Sequence, residues 1–346
     1  MRTRWIWALI FVTAVAGATI AGSAKKYQAE LERPIELGVS GGNADSDYCF
    51  AGTLGCLVED SSGTYYILSN NHVFSRDIND AVTGDLGDRV TQPATLDNGC
   101  TRDWSDVVAR VSDWKAIDFS VGGTNVIDAA IAKIVVGTVD TDGTILGIGS
   151  PSATPATASV GLAVKKAGRT TGKTKGTVEF TGVTITVDYG SGRLATFTDQ
   201  IAVGGGFSRA GDSGSLILTS DGDPLALLFA GSSTHTFANP IQAVLTEFGV
   251  TVVGKDTAGD NGKGGGKDKD NPGQGKKPNA ADVKEKNSKA LLAISGVRGH
   301  GLGKRGGKDV IAVFVDRDDA ALRSKLPKSL DGIDVEVVVT GNVTAY

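Results

Sequence analysis

The chain has 346 residues, of which 40% are hydrophobic and 21% are charged, enough for two domains or for one large domain with additions. Its formal net charge of −4 gives no electrostatic basis for binding nucleic acid, so that class of partner is not expected. Glycine contributes 48 residues, and together with many Thr and Val residues it favours short strands and tight turns over long helices.

The N-terminal segment has the composition of an export signal. Arg2 and Arg4 precede an apolar stretch that starts at Trp5, and the small residues Gly-Ser-Ala follow it at 22–24. This order is typical of a secretory signal peptide, which is predicted over residues 1–24. The length of the apolar stretch also fits an uncleaved membrane anchor. Both interpretations place the chain outside the cytoplasm, secreted, periplasmic or membrane-anchored, with membrane contact only if the segment is retained.

From about residue 35 to 253, short apolar or alternating runs are separated by Gly, Asn, Asp and Ser. Examples are TYYILSNNHV, AAIAKIVV and GTVEFTGVTITVDY. Regular short runs with turn residues between them predict an all-β sandwich or a pair of barrels. One short helix is predicted at NPIQAVLTEFG, where Gly249 ends it.

The three cysteines fit an exported chain that contains one disulfide and one thiol. Cys49 and Cys100 lie in turn-like segments and are expected to pair. Cys56 lies in the apolar run GTLGCLVE and is expected to be a buried thiol. The spacing matches no zinc motif, so neither a metal nor a cofactor is predicted.

The C-terminal part divides into a linker and a small module. Residues 254–289 are rich in Gly, Lys, Asp and Asn and nearly free of apolar residues, which predicts a disordered linker. Residues 290–346 regain strand and helix patterns and predict a small α+β module. Gly299, Gly301 and Gly303 suggest a phosphate loop, but no Gly-Lys-Ser/Thr sequence follows them, so a glycine-rich connection between strands is favoured.

Candidate catalytic residues begin with Ser213, in the sequence GDSGS. On its own, this sequence is typical of a polar turn. A nucleophilic serine would also need a base and a third group that orients the base. His72 ends the strand-like run YYILSNNH, where a base would stand on a rigid element. Asp128 is the one acid in the apolar run NVIDAAIAKIVV, so it needs a partner if buried. Asp106 and Asp118 are rivals in more polar surroundings.

The blocks SNNHV, DAAIA and GDSGS, in the order His, Asp, Ser, resemble those of trypsin-like serine proteases of the chymotrypsin fold. The order differs from that of subtilisin-like enzymes and of α/β-hydrolases. Further phrases, such as GTLGCLV and IDAAIA, resemble a bacterial subgroup akin to the plant NARROW LEAF 1 proteins. The resemblance covers residues 35–253.

The resemblance implies two six-stranded antiparallel β-barrels, at about 35–148 and 160–253, with the active site between them. It also implies that His72, Asp128 and Ser213 are catalytic and that the N–H groups of Gly211 and Ser213 form an oxyanion hole. Asp212 is then a structural acid with a buried partner, for which Arg209 is the candidate.

By the same resemblance the substrate pocket lies near four residues, Phe207, Gly231, Ser232 and His235. No acid stands at the expected floor, so an apolar or small side chain is favoured over Lys or Arg, and recognition of an acidic side chain by His235 is the alternative. The predicted function is that of an exported serine endopeptidase acting on proteins or peptides, with possible docking of the C-terminal module. The alternative is a non-catalytic binding or scaffold protein on the same fold.

Overall fold

The computed structural model describes residues 25–75, 86–255 and 279–346. The predicted signal peptide or anchor at 1–24 and most of the predicted linker lie outside these described residues. Within them, no helix is both long enough and apolar enough to cross a bilayer.

The first barrel is a closed circuit of antiparallel strands. Strands β2 and β3 form one strand interrupted at Gly55, so the hydrogen-bonded order β1, β2–β3, β4, β7, β6, β5 and back to β1 has six members. Alternate apolar side chains of these strands point into a common core. The strands are β1 Val39–Asn43, β2 Gly52–Leu54, β3 Cys56–Asp60, β4 Tyr65–Ser69, β5 Arg89–Thr91, β6 Val107–Trp114 and β7 Ala130–Ile134. A short helix, α1 Asn71–Phe74, follows β4.

The second barrel is built in the same way. Its order is β8, β9, β10, β13, β12, β11 and back to β8, again six antiparallel strands in a closed circuit. The strands are β8 Ala163–Lys166, β9 Thr174–Asp188, β10 Leu194–Gly204, β11 Leu216–Thr219, β12 Pro224–Gly231 and β13 His235–Pro240. The fold is therefore all-β, with two six-stranded barrels in a chymotrypsin-like arrangement, as the sequence predicts.

The chain returns from the second barrel to the first through a helix and a strand. Helix α2, Ile241–Phe248, ends at Gly249, whose φ of 62° is left-handed and favours glycine. Strand β14, Val250–Val252, then pairs with β3. The structure thus places residues 250–252 on the first barrel and not on the second, because the helix carries the chain across the interface. Ile241 and Leu245 pack there against Cys56 and other residues of one shared core.

The C-terminal module adds strands to the second barrel's sheet. Strand β15 pairs antiparallel with β9 and with β16, and β16 pairs in parallel with β18. Its elements are α3 Ala280–Leu292, β15 Val297–Arg305, β16 Lys308–Val315, α4 Ala320–Arg323, β17 Ser329–Leu330, β18 Ile333–Val339 and β19 Thr344–Ala345. Helix α3 is capped by Asn279, so residues 280–289, predicted as linker, belong to a helix.

The glycines predicted to form a loop at 299–303 lie inside β15 instead. A Cβ at Gly299 would collide with the carbonyl oxygen of Thr184, and side chains of β9 crowd Gly301 and Gly303. These glycines permit close contact between two strands, which excludes both the phosphate loop and the glycine-rich connection.

The cysteines differ in their surroundings. Cys49 and Cys100 form a disulfide with a Cα–Cα distance of 5.4 Å. Cys56 is a free, buried thiol in the core between the barrels. Burial raises the pKa of the Cys56 thiol to about 12, so this thiol is not a reactive nucleophile.

Candidate active site

Neighbouring strands of the first barrel bring His72 and Asp128 together. His72 lies in α1, directly after β4, and Asp128 precedes β7 by two positions. Because β4 and β7 are paired, with Ser69 opposite Ala130, the segments that follow β4 and precede β7 meet at one end of the barrel.

Asp128 fixes the imidazole of His72 by a short hydrogen bond. His72 Nδ1 lies 2.6 Å from Asp128 Oδ2, and the His72 backbone N–H donates to Asp128 Oδ1 at 3.3 Å. The Asn70 side chain donates to the Asp128 carbonyl oxygen, and the Asp128 N–H donates to the Asn239 side chain. Asp128 is fully buried. It is thus held from both barrels, with Nδ1 of the imidazole facing it and Nε2 facing away.

The charge of Asp128 governs the protonation of His72. Burial lowers the pKa of His72, but the Asp128 carboxylate and the Tyr346 carbonyl favour the imidazolium and raise the pKa overall, above the ordinary value of 6.5. Desolvation is the largest single effect, but the opposite charge and the hydrogen bonds together outweigh it.

Tyr189 completes the surroundings of Asp128, and the sequence gives no indication of it. Its hydroxyl donates to Asp128 Oδ2 at 2.7 Å, and its ring packs edge-on to His72 with centroids 6.0 Å apart. Burial and the Asp128 charge raise the pKa of Tyr189 well above 10, so the hydroxyl stays a donor. Tyr189 comes from the β9–β10 connection of the other barrel, which no local pattern reveals.

The rival acids lie elsewhere. Asp106 is buried and accepts a hydrogen bond from Asn98. Asp118 is exposed and accepts the backbone N–H of Ser120. Each carboxylate accepts a hydrogen bond from a residue close to it in the sequence. Among the described residues, neither acid is a hydrogen-bond partner of His72.

Ser213 lies in a loop that the first barrel supports. The loop precedes β11, and Thr53 of β2 holds it: the Thr53 N–H donates to the Ser213 carbonyl at 2.8 Å, and the Thr53 hydroxyl donates to the Gly211 carbonyl at 2.9 Å. Gly55 permits the approach, because a Cβ there would collide with the carbonyl oxygen of Gly214. The Ser213 hydroxyl donates to the Phe229 carbonyl at 3.2 Å.

The backbone of Gly211 has a conformation and surroundings that require glycine. Its φ of 93° is left-handed, and a Cβ would collide with the side chain of Thr170. None of the backbone hydrogen bonds among the described residues uses the N–H of Gly211 or of Ser213. Among the described residues, neither N–H has an acceptor, which is what a role in an oxyanion hole would require.

The buried partner of Asp212 is Lys166 and not the side chain of Arg209, as the sequence suggested. Lys166 Nζ lies 3.2 Å from Asp212 Oδ2, and both side chains are fully buried. Arg209 contributes only its backbone N–H, at 3.0 Å, and Thr170 and Thr171 donate as well. Burial lowers the pKa of Lys166, an effect that the Asp212 charge opposes. An internal ammonium group thus neutralises the acid beside Ser213.

Tyr346, the last residue of the sequence, contacts His72 and shares a hydrogen-bond acceptor with Ser213. His72 Nε2 is 3.0 Å from the Tyr346 main-chain oxygen. The Tyr346 N–H donates to the Phe229 carbonyl at 3.3 Å, the same oxygen that accepts from Ser213 Oγ. Among the described contacts, His72 Nε2 and the Ser213 hydroxyl are thus each bonded to a backbone oxygen and not to each other.

Three of the four predicted pocket residues surround Tyr346. A Cβ on Gly231 would collide with the Tyr346 ring, and the Tyr346 hydroxyl donates to the Ser232 carbonyl at 3.4 Å. The ring packs against the apolar cluster of the second barrel that contains Phe207. Phe207 is buried within that cluster.

His235 does not belong to this group of contacts. Its Nε2 lies 3.0 Å from Glu179 Oε2 and its Nδ1 2.9 Å from the Thr234 hydroxyl. Its ring lies near that of Phe314, with centroids 6.2 Å apart. Burial lowers the pKa of His235, against the opposing effect of Glu179. Both nitrogens are engaged, so the structure gives no support for recognition of an acidic side chain by His235.

Comparison with protein-family models and with curated proteins finds no match. Among solved structures the chain is similar to a glutamic-acid-specific serine protease described as using a histidine triad in substrate binding. The identity is 22%, over 63% of this chain and 100% of that one, with a TM-score of 0.44. It is also similar to Thermobifida fusca Protease A, with 19% identity over 64% of this chain and 99% of that one and a TM-score of 0.44. A third similar structure is Nocardiopsis protease, with 17% identity over 63% of this chain and 98% of that one and a TM-score of 0.43.

Likenesses at this level of identity and TM-score do not assign an activity to the present chain. The narrower resemblance to the plant NARROW LEAF 1 proteins is not confirmed by them.

Proposed function

We propose that the protein is a serine endopeptidase that hydrolyses peptide bonds through a His72–Asp128–Ser213 triad. The observation that carries the proposal is the His72 imidazole, which Asp128 holds at 2.6 Å through Nδ1. Its Nε2 bonds to the Tyr346 main-chain oxygen, and the Tyr346 N–H shares the Phe229 carbonyl with the Ser213 hydroxyl. A base oriented by a buried carboxylate beside a serine is the arrangement that activates a hydroxyl nucleophile.

In the proposed reaction, Ser213 Oγ attacks the peptide carbonyl carbon while His72 Nε2 accepts the hydroxyl proton. The resulting oxyanion binds to the N–H groups of Gly211 and Ser213. His72 then donates the proton to the leaving amine as the C–N bond breaks, which leaves an ester on Ser213. Water attacks this ester with His72 again as base, and the acid product and the Ser213 hydroxyl are released.

The surroundings of Asp128 suit the charges that develop. When His72 becomes an imidazolium, it does so beside a carboxylate that is fully buried and hydrogen-bonded by Tyr189. Fixed donors in a buried site need no rearrangement as charge moves.

The test is labelling by a fluorophosphonate probe, in which the serine oxygen displaces fluoride from phosphorus. We expect the wild-type chain to be labelled at Ser213 and to cleave peptides. The Ser213→Ala variant should lose labelling, and its hydrolysis rate should fall by roughly 10⁶-fold. Ser215→Ala, which changes a neighbouring serine that donates only to the Asp212 carbonyl, is the matched control. Labelling that survives in Ser213→Ala would contradict the proposal.

We also propose that the protein acts outside the cytoplasm. The Cys49–Cys100 disulfide fits an oxidising compartment. Isolation of the chain from its native source, followed by sequencing of its N-terminus and assay of free thiols, tests both export and the disulfide.

A further inference from the structure

The C-terminal strand β19, Thr344–Ala345, lies in the cleft between the barrel strands β12 and β9. It pairs antiparallel with β12, with Ala345 opposite Ala230 and Thr344 opposite Gly231. On its other edge it runs parallel to the end of β9, where the Asp188 N–H donates to the Val343 carbonyl at 2.9 Å. An extended segment added to a strand edge in this way is a common mode of peptide binding.

The register of this pairing brings the Tyr346 carbonyl to the catalytic groups. The Tyr346 N–H donates to the Phe229 carbonyl at 3.3 Å, and the Tyr346 oxygen lies 3.0 Å from His72 Nε2. Ser213 Oγ shares the Phe229 carbonyl with the Tyr346 N–H, at 3.2 Å. The backbone contacts therefore hold the Tyr346 oxygen against the proposed base His72, and they hold the Tyr346 N–H against the carbonyl that the proposed nucleophile Ser213 also contacts.

The Tyr346 side chain fills a pocket that suits an aromatic ring. Gly231 has no side chain on the face that the ring covers, and the apolar cluster of the second barrel lies beneath it. The hydroxyl reaches the Ser232 carbonyl. Burial raises the pKa of Tyr346, an effect that the Ser208 side chain opposes as a hydrogen-bond partner. The pocket thus offers apolar walls with polar groups at the end of the ring.

The module holds the strand in place from the outside of the second barrel. Strand β15 pairs with β9, and Phe314 packs against Phe180 with ring centroids 5.2 Å apart. Lys284 of α3 donates to the Gly182 carbonyl at 2.8 Å. Val343, just before β19, is buried in the same core as Phe314. Because these contacts fix the start of the strand, its effective concentration at the cleft is high.

We propose that residues Thr344–Tyr346 are an intramolecular inhibitor that occupies the substrate cleft in the manner of the acyl half of a substrate. The same contacts define the substrate class as peptides with tyrosine or another aromatic residue at the carbonyl of the cleaved bond, preceded by a small residue such as Ala345. This inference rests on the proposed function, because it assigns an occupant and a specificity to that site.

The test compares the full chain, a chain shortened to end at Val343, and a Tyr346→Gly variant. Fluorophosphonate labelling of Ser213 should be at least about tenfold faster in the last two, since the cleft is free. Tyr48→Gly, which removes a tyrosine that is 76% exposed, is the matched control and should label like the full chain. The shortened chain should also cleave a Val-Thr-Ala-Tyr anilide at least about tenfold faster than the corresponding Lys and Glu anilides.

The outcomes separate this inference from the proposed function. Equal labelling of all four proteins would overturn the inhibitor and leave the protease standing. Equal cleavage of the Tyr, Lys and Glu anilides would overturn the aromatic pocket. If none of the proteins is labelled, the proposed function fails, and calorimetry with the peptide acid Val-Thr-Ala-Tyr then decides the occupant. If the peptide binds to the shortened chain and not to the full chain, residues 344–346 are supported as the occupant of the cleft. If the peptide binds to neither chain, that assignment is overturned.

Discussion

Two side chains that contact the buried acids Asp128 and Asp212 distinguish this site at the level of single residues. Tyr189 donates to Asp128, and Lys166 neutralises Asp212. Both come from positions far along the chain from the acids they contact. Their roles follow from burial, because a buried carboxylate needs donors or an opposite charge.

Removal of the Tyr189 hydroxyl should weaken the proposed catalysis through Asp128. In Tyr189→Phe the carboxylate loses one donor, so we expect kcat/KM to fall by roughly tenfold. The carboxylate then attracts the His72 imidazolium more strongly, and the pKa of His72 should rise further. Because His72 must be neutral to act as base, the acid limb of the pH–rate profile should move to higher pH. The measurement is kcat/KM against pH, made on the chain shortened to end at Val343.

The matched control for that variant is Tyr66→Phe, since Tyr66 also donates to a carboxylate, Asp60, but outside the site. It should leave both kcat/KM and the acid limb unchanged. A loss of rate in Tyr189→Phe without any movement of the acid limb would show a structural role only.

Removal of the Lys166 charge should destabilise the loop that carries Ser213. Lys166→Met leaves the Asp212 carboxylate buried without its cation, which typically costs about 3–5 kcal/mol. Urea unfolding, with the free energy of unfolding extrapolated to water, measures this loss. The double variant Lys166→Met with Asp212→Asn removes both charges and should recover part of it. A single-variant loss below about 1 kcal/mol would contradict a tight buried pair.

His72, Asp128 and Ser213 could be singled out from the sequence because each stands beside an apolar run that marks it. Tyr189 lies in an alternating strand pattern that leaves its hydroxyl without any distinguishing context. Lys166 follows another lysine and reads as a surface residue. The roles of Tyr189 and Lys166 follow from contacts with residues far along the chain, and a local sequence pattern does not contain such contacts.

At the scale of elements, the long β9–β10 hairpin connects the module to the catalytic cleft. One edge of β9 receives β15, its end receives β19, and the connection to β10 carries Tyr189. The alternating pattern of β9 is plain in the sequence. The sequence did not predict a strand at the glycines of β15. These glycines are needed because β9 lies so close that it leaves no room for side chains.

Separation of β15 from β9 should release the C-terminal strand. In Gly299→Val the new side chain collides with the carbonyl oxygen of Thr184, so we expect the module to detach and Ser213 labelling to approach the rate of the shortened chain. Gly306→Asn is the control, since a Cβ at Gly306 meets open space and Asn tolerates its φ of 56°. Gly299→Val that folds and labels at the slow rate of the full chain would show that β15 does not hold β19.

Helix α3 is the other element that the sequence misplaced. Its apolar residues, among them Val283 and Leu291, are spread among charged ones, so composition alone grouped its first part with the linker. The helix is stabilised by packing of those residues on the module's sheet, and such tertiary stabilisation is not visible in a local window.

At the scale of the whole molecule, the two barrels were predictable and their connections were not. Short alternating runs predict the strands, the resemblance divides them into units at about 35–148 and 160–253, and the structure closes each unit into six strands. The return of β14 to the first barrel and the position of Tyr346 in the cleft both depend on long-range geometry. Contacts of this kind join residues hundreds of positions apart, and no spacing rule encodes them.

Strand β19 has neighbours on both edges, β12 on one and β9 on the other. Any peptide that replaces it has to enter the same slot as a single strand with both of its edges unpaired. A strand that already belongs to a folded sheet, or a helix, does not meet this condition. The shape of the cleft would therefore direct cleavage to unfolded or loosely held polypeptide and spare compact proteins, whatever residues they display on their surfaces.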